Sequence, residues 1–128
     1  MSKLAFIFPG QGAQKAGMGK DFYENSEAAR SFFDQAQKIL DFDLKEMCFG
    51  EHEELNLTEY TQPCMVSVCL AIVQELKKRG INPDITAGLS LGEYAAVAPF
   101  FSRSRYCFVI ENIVAEAAKL LEKGACYE

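Results

Sequence analysis

The sequence predicts an α/β fold in which a parallel sheet is flanked by helices. Two short apolar segments, Lys3–Phe8 and Ile85–Gly88, have the composition of buried strands; the first is followed by Pro9-Gly10, and the second ends at Gly88. Segments with helical spacing separate them, and strands that alternate with helices favour a parallel sheet. The 128 residues, of which 49% are hydrophobic, are enough to form one core, so one domain is the starting assumption.

The first strand leads through Pro9-Gly10 into a loop that extends to Gln14. A helix is then predicted from about Ser26 to Leu40, because Ser26 is a good N-cap and apolar residues recur at helical spacing after it. The segment between Asp41 and Leu57 is irregular and acidic. Short helical turns on a solvated surface are expected there rather than a site.

The second half of the chain starts with a long predicted helix from Thr58 to Arg79, which ends in basic residues followed by Gly80. After the second strand, a helix is predicted from Leu91 to Ala98. A last segment, from about Tyr106 to Lys123, again has helical spacing.

Composition excludes several classes of function. The net charge is −5 and the basic residues are scattered, so no nucleic-acid partner is expected. No apolar run approaches the roughly 18 residues of a membrane-spanning helix, so no membrane partner is expected either. The five cysteines form no CxxC pair and His52 lies in an acidic stretch, so no metal site is predicted. The odd number of cysteines and the absence of a signal-peptide pattern predict reduced thiols and a cytoplasmic location.

The strongest chemical motif is Gly88-Leu89-Ser90-Leu91-Gly92, which fits G-x-S-x-G between a predicted strand and a predicted helix. In this context the serine projects from a tight turn and can act as a nucleophile. The backbone N–H of Leu91, at the start of the helix, is the natural donor to a developing oxyanion. The alternative interpretation of the same five residues is an ordinary helix start, with a serine N-cap flanked by glycines.

The loop around Gln11 supports the catalytic interpretation, because it leaves the carboxyl end of the first strand at the sheet edge where Ser90 is expected. Gly10-Gln11-Gly12 lacks the third glycine, the lysine and the later acidic residue of nucleotide-binding loops. Two glycines that let the backbone approach a substrate, with an amide between them, fit acyl transfer better. The alternative is a tight turn without a ligand.

Three segments, Phe8–Gln14, Leu57–Pro63 and Ala87–Tyr94, resemble the malonyl-CoA:acyl-carrier-protein transacylase family in order and spacing. The resemblance covers about residues 1–98 and implies a hydrolase-like α/β subdomain. It also implies that a malonyl group moves from coenzyme A to the serine and then to the phosphopantetheine thiol of acyl carrier protein, in fatty-acid biosynthesis. Both thioesters are substrates, and no resident cofactor is implied.

Transferred to this chain, the family roles make Ser90 the nucleophile, place Gln11 and the Leu91 N–H at the oxyanion hole, and place Gln62 near the acyl group. Leu89 stands where many members have a histidine, but that neighbour is not the general base. After Ala98 the pattern is lost, and Ile113 occupies the position of the arginine that holds the malonyl carboxylate.

The family's general-base histidine lies further downstream than this sequence extends. We therefore expect residues 1–98 to form the amino-terminal part of the large subdomain and residues 99–128 a divergent helical tail. The ferredoxin-like subdomain and the carboxy-terminal half are expected to be absent, and the chain alone to be nearly inactive. A remnant that binds coenzyme A or carrier protein without turnover is the alternative function. A general serine hydrolase is disfavoured because no histidine follows Ser90.

Overall fold

A computed structural model describes residues 2–97 of the chain. The elements in chain order are β1 (Ala5–Phe8), α1 (Lys20–Asn25), α2 (Glu27–Gln37), α3 (Leu44–Phe49), a 3₁₀ turn (Glu53–Asn56), α4 (Thr58–Lys78), β2 (Ile85–Gly88) and α5 (Gly92–Val97). The helix expected over 106–123, the tail expected over 99–128 and Ile113 lie outside the described residues. Of the helices that are described, none combines the length and the apolar character needed to cross a membrane.

The two strands pair in parallel, as the alternation of strands and helices predicts. Ala5 pairs with Ile85 and Phe8 with Gly88, and the Leu89 N–H then donates to the Phe8 carbonyl over 3.1 Å. The strands therefore end at the same level, and the loops that follow them leave the same edge of the sheet.

The long helices agree with the sequence pattern at most of their ends. The Ser26 side chain caps α2 by accepting a hydrogen bond from the Ala29 N–H, and α4 ends just before Gly80, whose φ is 75°. The helix α2 ends at Gln37, three residues earlier than predicted. The Gln37 side chain accepts from the Leu44 N–H and donates to the Phe42 carbonyl, so it holds the turn that replaces the last helical residues.

The helix α1 has no counterpart in the sequence prediction. It is six residues long and has no buried residue, so it lacks the apolar periodicity by which a helix is recognised. The irregular acidic segment contains the expected short helical pieces, namely α3 and the 3₁₀ turn.

The core lies mainly between α2 and α4. Phe33 and Leu70 are completely buried, and Phe33 packs against the rings of Tyr23 and Phe49 at centroid distances of 5.7 and 5.5 Å. Phe8 belongs to the same core together with Leu91 and two alanines of α5. Through Phe8 and α5, the core supports the end of the sheet where the two loops emerge.

The opposite face of the sheet is apolar and exposed. Ile7 is 77% exposed and Ile85 60%, and Ala5 and Ala87 on the same face are also exposed. An apolar pocket of about 400 Å³ lies between β1 and α4. Residues from both faces of β1 line it, which places the pocket along the strand edge that faces away from β2.

Candidate active site

Ser90 lies in a tight turn between β2 and α5. Its φ is +51°, the only positive value at a non-glycine residue within the described part of the chain. The turn is closed by hydrogen bonds from the Gly92 N–H to the Leu89 carbonyl and from the Glu93 N–H to the Ser90 carbonyl, both 2.9 Å long. Left-handed backbone is unfavourable for a residue with a side chain, and a strained serine between a strand and a helix is typical of a nucleophile elbow.

The elbow requires glycine on both sides of the serine. A Cβ added to Gly88 would lie 2.1 Å from the backbone carbonyl carbon of Gly92, and one added to Gly92 would lie 2.3 Å from the carbonyl oxygen of Phe8. These distances are far below van der Waals contact, so the strand, the turn and the helix approach each other as closely as backbone allows. The Thr86 hydroxyl adds a further link, because it donates to the Ala96 carbonyl over 2.6 Å.

The Gln11 loop lies directly beside this elbow. A Cβ on Gly10 would lie 2.8 Å from the Leu89 carbonyl oxygen. Gln11 and Ser90 are the residues that follow these two contact points, and both are exposed. The structure therefore brings together the two loops that the sequence placed at one sheet edge.

Two backbone donors are available near the serine. Among residues 2–97, the N–H groups of Gln11 and Leu91 form no hydrogen bond. The Leu91 side chain is buried in the core, which fixes the backbone position of its N–H. Unpaired N–H groups on two adjacent loops are the components from which an oxyanion hole is made.

The side chains of the Gln11 loop contact the segment that starts α4. Gln11 Nε2 donates to Thr58 Oγ1 over 3.0 Å, and Gln14 Nε2 donates to Asn56 Oδ1 over 3.2 Å. Gln14, Asn56 and Thr58 have no role in the site predicted from the sequence. The signal was the position of Gln14 and Thr58 inside the recognised segments, but nothing in the sequence showed that the two segments touch.

Gln62 lies on α4 and is half-buried. It follows Thr58 by four residues, so both project from the same face of the helix. This is the face that meets the Gln11 loop. Gln62 thus lies one turn further along α4 than the contact with Gln11.

The histidine and the cysteines among the described residues form no hydrogen bond with Ser90. His52, the single histidine of the sequence, bonds to Glu46 over 3.0 Å, and Ser90 Oγ forms no hydrogen bond within residues 2–97. A hydrogen bond with Cys64, together with burial, raises the pKa of the Cys48 thiol. Burial raises the pKa of Cys69 to about 11. Buried thiols of this kind react poorly at neutral pH.

No cluster of three or more side chains suited to binding a metal occurs in the part of the chain that the structure describes. The elbow and the Gln11 loop bring a serine hydroxyl beside backbone amides. This combination serves acyl transfer.

Comparison with known proteins agrees with this chemistry. The sequence profile of the acyl transferase domain family matches residues 5–100. The chain is 49% identical over 98 residues to a malonyl CoA-acyl carrier protein transacylase of Bacillus subtilis (strain 168), an alignment that covers 76% of this chain and 31% of that protein. The chain thus spans less than a third of the length of this curated relative.

Solved structures show the same relationship. The crystal structure of malonyl CoA-acyl carrier protein transacylase from Clostridium perfringens superposes with a TM-score of 0.78 at 35% identity, over 98% of this chain and 39% of that one. A malonyl-transacylase solved in complex with a type II polyketide synthase acyl-carrier protein superposes with a TM-score of 0.79 at 31% identity, over 98% of this chain and 40% of that one. The family profile matches far more than half of the sequence, and the chain therefore belongs to the acyl transferase domain family.

Proposed function

We propose that this chain supplies the nucleophile and oxyanion side of a malonyl-CoA:acyl-carrier-protein transacylase. The observation that carries the proposal is the strained Ser90 turn in direct contact with the Gln11 loop. The similarity to transacylases that act on malonyl-CoA and acyl carrier protein supports the choice of donor and acceptor. Two-step transfer through a covalent intermediate is the mechanism that such a serine serves.

In the first step, Ser90 Oγ attacks the thioester carbonyl of malonyl-CoA and loses its proton to a base. The N–H groups of Gln11 and Leu91 stabilise the oxyanion, and Gln62 lies near the acyl group. The tetrahedral intermediate collapses with cleavage of the C–S bond, and coenzyme A leaves as the thiol after it takes up a proton. Ser90 then carries the malonyl group as an ester.

In the second step, the phosphopantetheine thiol of acyl carrier protein attacks this ester. The C–O bond breaks, the proton returns to Ser90, and malonyl-acyl carrier protein is released. The resemblance assigns the base to a histidine downstream of this sequence. In this proposal the chain works in the cytoplasm on soluble substrates.

A second candidate function is binding without turnover. It is favoured by one observation, namely that Ser90 Oγ has no hydrogen-bond partner among residues 2–97 while the only histidine of the sequence is engaged with Glu46. A serine without a base is a weak nucleophile, and loss of a catalytic base typically costs several powers of ten in rate. Such a protein would still bind coenzyme A thioesters or carrier protein at the same edge of the sheet.

Intact-protein mass spectrometry after incubation with malonyl-CoA separates these functions. We expect slow addition of one malonyl group to the full chain, with the label on the peptide that contains Ser90. Ser90→Ala abolishes the adduct, and Ser31→Ala, a change at an exposed serine of α2, leaves it unchanged. Saturable binding of malonyl-CoA with no adduct would support the binding function, and an adduct that persists in Ser90→Ala would remove Ser90 from the mechanism.

A further inference from the structure

Two hydrogen bonds connect the Gln11 loop to the segment that starts α4. Gln11 Nε2 donates to Thr58 Oγ1 and Gln14 Nε2 donates to Asn56 Oδ1, over 3.0 and 3.2 Å. The Gln14 side chain also turns back on its own loop, where its Oε1 accepts from the Gly12 N–H over 2.7 Å. Both side-chain groups of Gln14 are thus engaged, one by the loop and one by the segment before α4.

The loop has little else to hold its outer part in place. Gln11, Gly12 and Ala13 are exposed. Gly12 has a φ of 115°, and a Cβ added to it would meet no atom within 4 Å. Since side-chain packing does not fix this part of the chain, its position depends on the hydrogen bonds that its polar groups form.

The acceptor side of these bonds is rigid. The fully buried Thr61 hydroxyl lies within hydrogen-bonding distance of the carbonyls of Leu55 and Leu57, the second at 2.9 Å. Leu55 is itself buried in the core. Asn56 lies between these two carbonyls and Thr58 directly follows them, so both acceptors are held by backbone attached to the core.

We propose that Thr58 and Gln14 are positioning residues, which hold the Gln11 N–H at the oxyanion side of Ser90. This inference rests on the proposed function, because the benefit of a fixed donor is realised in the tetrahedral state. Thr58 fixes the Gln11 side chain, so the residue presents its backbone N–H to the elbow. Gln14 accepts a hydrogen bond from the neighbouring Gly12 N–H and donates one to Asn56, which connects the loop to the segment before α4. Neither residue needs to touch the substrate.

The test uses the full chain with Thr58→Val, which keeps the β-branched shape and removes the hydroxyl, and Thr58→Ser, which restores the hydroxyl. Gln14→Met keeps a side chain of similar length and removes both hydrogen bonds of the Gln14 amide. For each protein, the rate of Ser90 acylation is measured over a range of malonyl-CoA concentrations by intact mass. Amide hydrogen exchange of the peptide that spans residues 9–14 is measured in parallel at short times.

We expect the limiting acylation rate to fall by about three- to tenfold in Thr58→Val and in Gln14→Met, as the loss of one or two hydrogen bonds implies. The half-saturating malonyl-CoA concentration stays unchanged, and exchange of the loop peptide becomes faster. Thr58→Ser retains the rate and the slow exchange. A rise in the half-saturating concentration with an unchanged limiting rate would overturn the positioning role, as would a loss that Thr58→Ser shares.

The exchange measurement keeps the inference independent of the acylation chemistry. If the unmodified chain forms no adduct at all, the proposed function fails. Hydrogen exchange still decides whether Thr58 and Gln14 hold the loop in place, which we call the tether. Faster exchange of residues 9–14 in both Thr58→Val and Gln14→Met then supports the tether, and unchanged exchange overturns it. A thermal melt of each variant identifies general unfolding, which would accelerate exchange in peptides of α2 as well.

Discussion

Neighbouring residues of β1 have opposite environments, and the difference distinguishes the two faces of the sheet. Phe8 is 5% exposed and packs with α5, while Ile7 is 77% exposed. On β2 the exposed face continues with Ile85, which lies opposite Ala5 in the register. An exposed apolar face of a parallel sheet is unusual, because such sheets are normally covered on both sides.

The packed face builds the candidate site, and the exposed face contributes nothing to it. The elbow is supported by the core residues Phe8 and Leu91 and by α5. Close backbone contacts at Gly88 and Gly92 fix its shape. These contacts lie within residues 2–97, so the Ser90 turn is defined by local structure. Within residues 2–97, the other face stays exposed at Ile7 and Ile85. The packed face thus contributes to both the site geometry and the buried core.

The largest contrast is expected between truncations at Phe8 and Ile7. Phe8→Ala should lower the free energy of unfolding by about 3–5 kcal/mol, since it leaves a cavity in the core. Ile7→Ala should change it by within about 0.5 kcal/mol, as is usual for an exposed site. Urea unfolding of the full chain measures both. Comparable losses would mean that the exposed face is covered in solution by residues outside 2–97 or by another chain.

A second contrast tests the close approach at the elbow. Gly88→Ala places a methyl group 2.1 Å from the backbone of Gly92, and we expect a loss of about 3 kcal/mol, at the upper end of overpacking costs. Gly80→Ala is the matched control, because Gly80 has a positive φ of 75° but no atom within 4 Å of the added Cβ. Left-handed strain alone should cost that variant about 1–2 kcal/mol.

Equal losses in Gly88→Ala and Gly80→Ala, measured by urea unfolding, would show that the elbow yields and that the contact between β2 and α5 is looser than the structure has it. A larger loss in Gly88→Ala would confirm that backbone packing shapes the turn.

The sequence predicted most of what local patterns determine. The bounds of β2 are those observed, and the start of α4 and the cap of α2 at Ser26 are confirmed. The parallel pairing followed from alternation of strands and helices and is also confirmed. The helix α1 was missed because it buries nothing, and the early end of α2 because Gln37 bonds to residues beyond the helix.

The site was predicted only as far as motifs and resemblance extend. The turn at Ser90 and its proximity to the Gln11 loop agree with the structure. The catalytic roles of Ser90, Gln11, Leu91 and Gln62 stay predictions. The link through Thr58 joins positions 47 residues apart, and no local pattern in the sequence encodes such a contact.

A smaller effect is expected from releasing the strain at Ser90. Ser90→Gly should raise the free energy of unfolding by about 1 kcal/mol relative to Ser90→Ala, because glycine adopts a φ of 51° without a steric cost. Both variants lose the malonyl adduct. Thermal unfolding of the two proteins measures the difference. If Ser90→Gly were no more stable than Ser90→Ala, the serine would adopt an ordinary backbone conformation in solution.

The smallest change in stability, with a clear change in association, is expected on the exposed sheet face. The double variant Ile7→Thr/Ile85→Thr keeps two β-branched residues on the strands but makes the face more polar. Exposed apolar patches favour association, so the unmodified chain should form oligomers in size-exclusion chromatography and bind a hydrophobic dye. The double variant should shift toward the monomer and bind less dye, while its unfolding free energy changes by less than about 1 kcal/mol.

Leu57→Thr is the control, because Leu57 is also half exposed but lies before α4, away from the sheet. Equal shifts in both proteins would indicate general surface polarity rather than this face. A monomeric unmodified chain with little dye binding would show that the face is already covered. The difference in exposure between Ile7 and Phe8 would then hold only when residues 2–97 are considered alone.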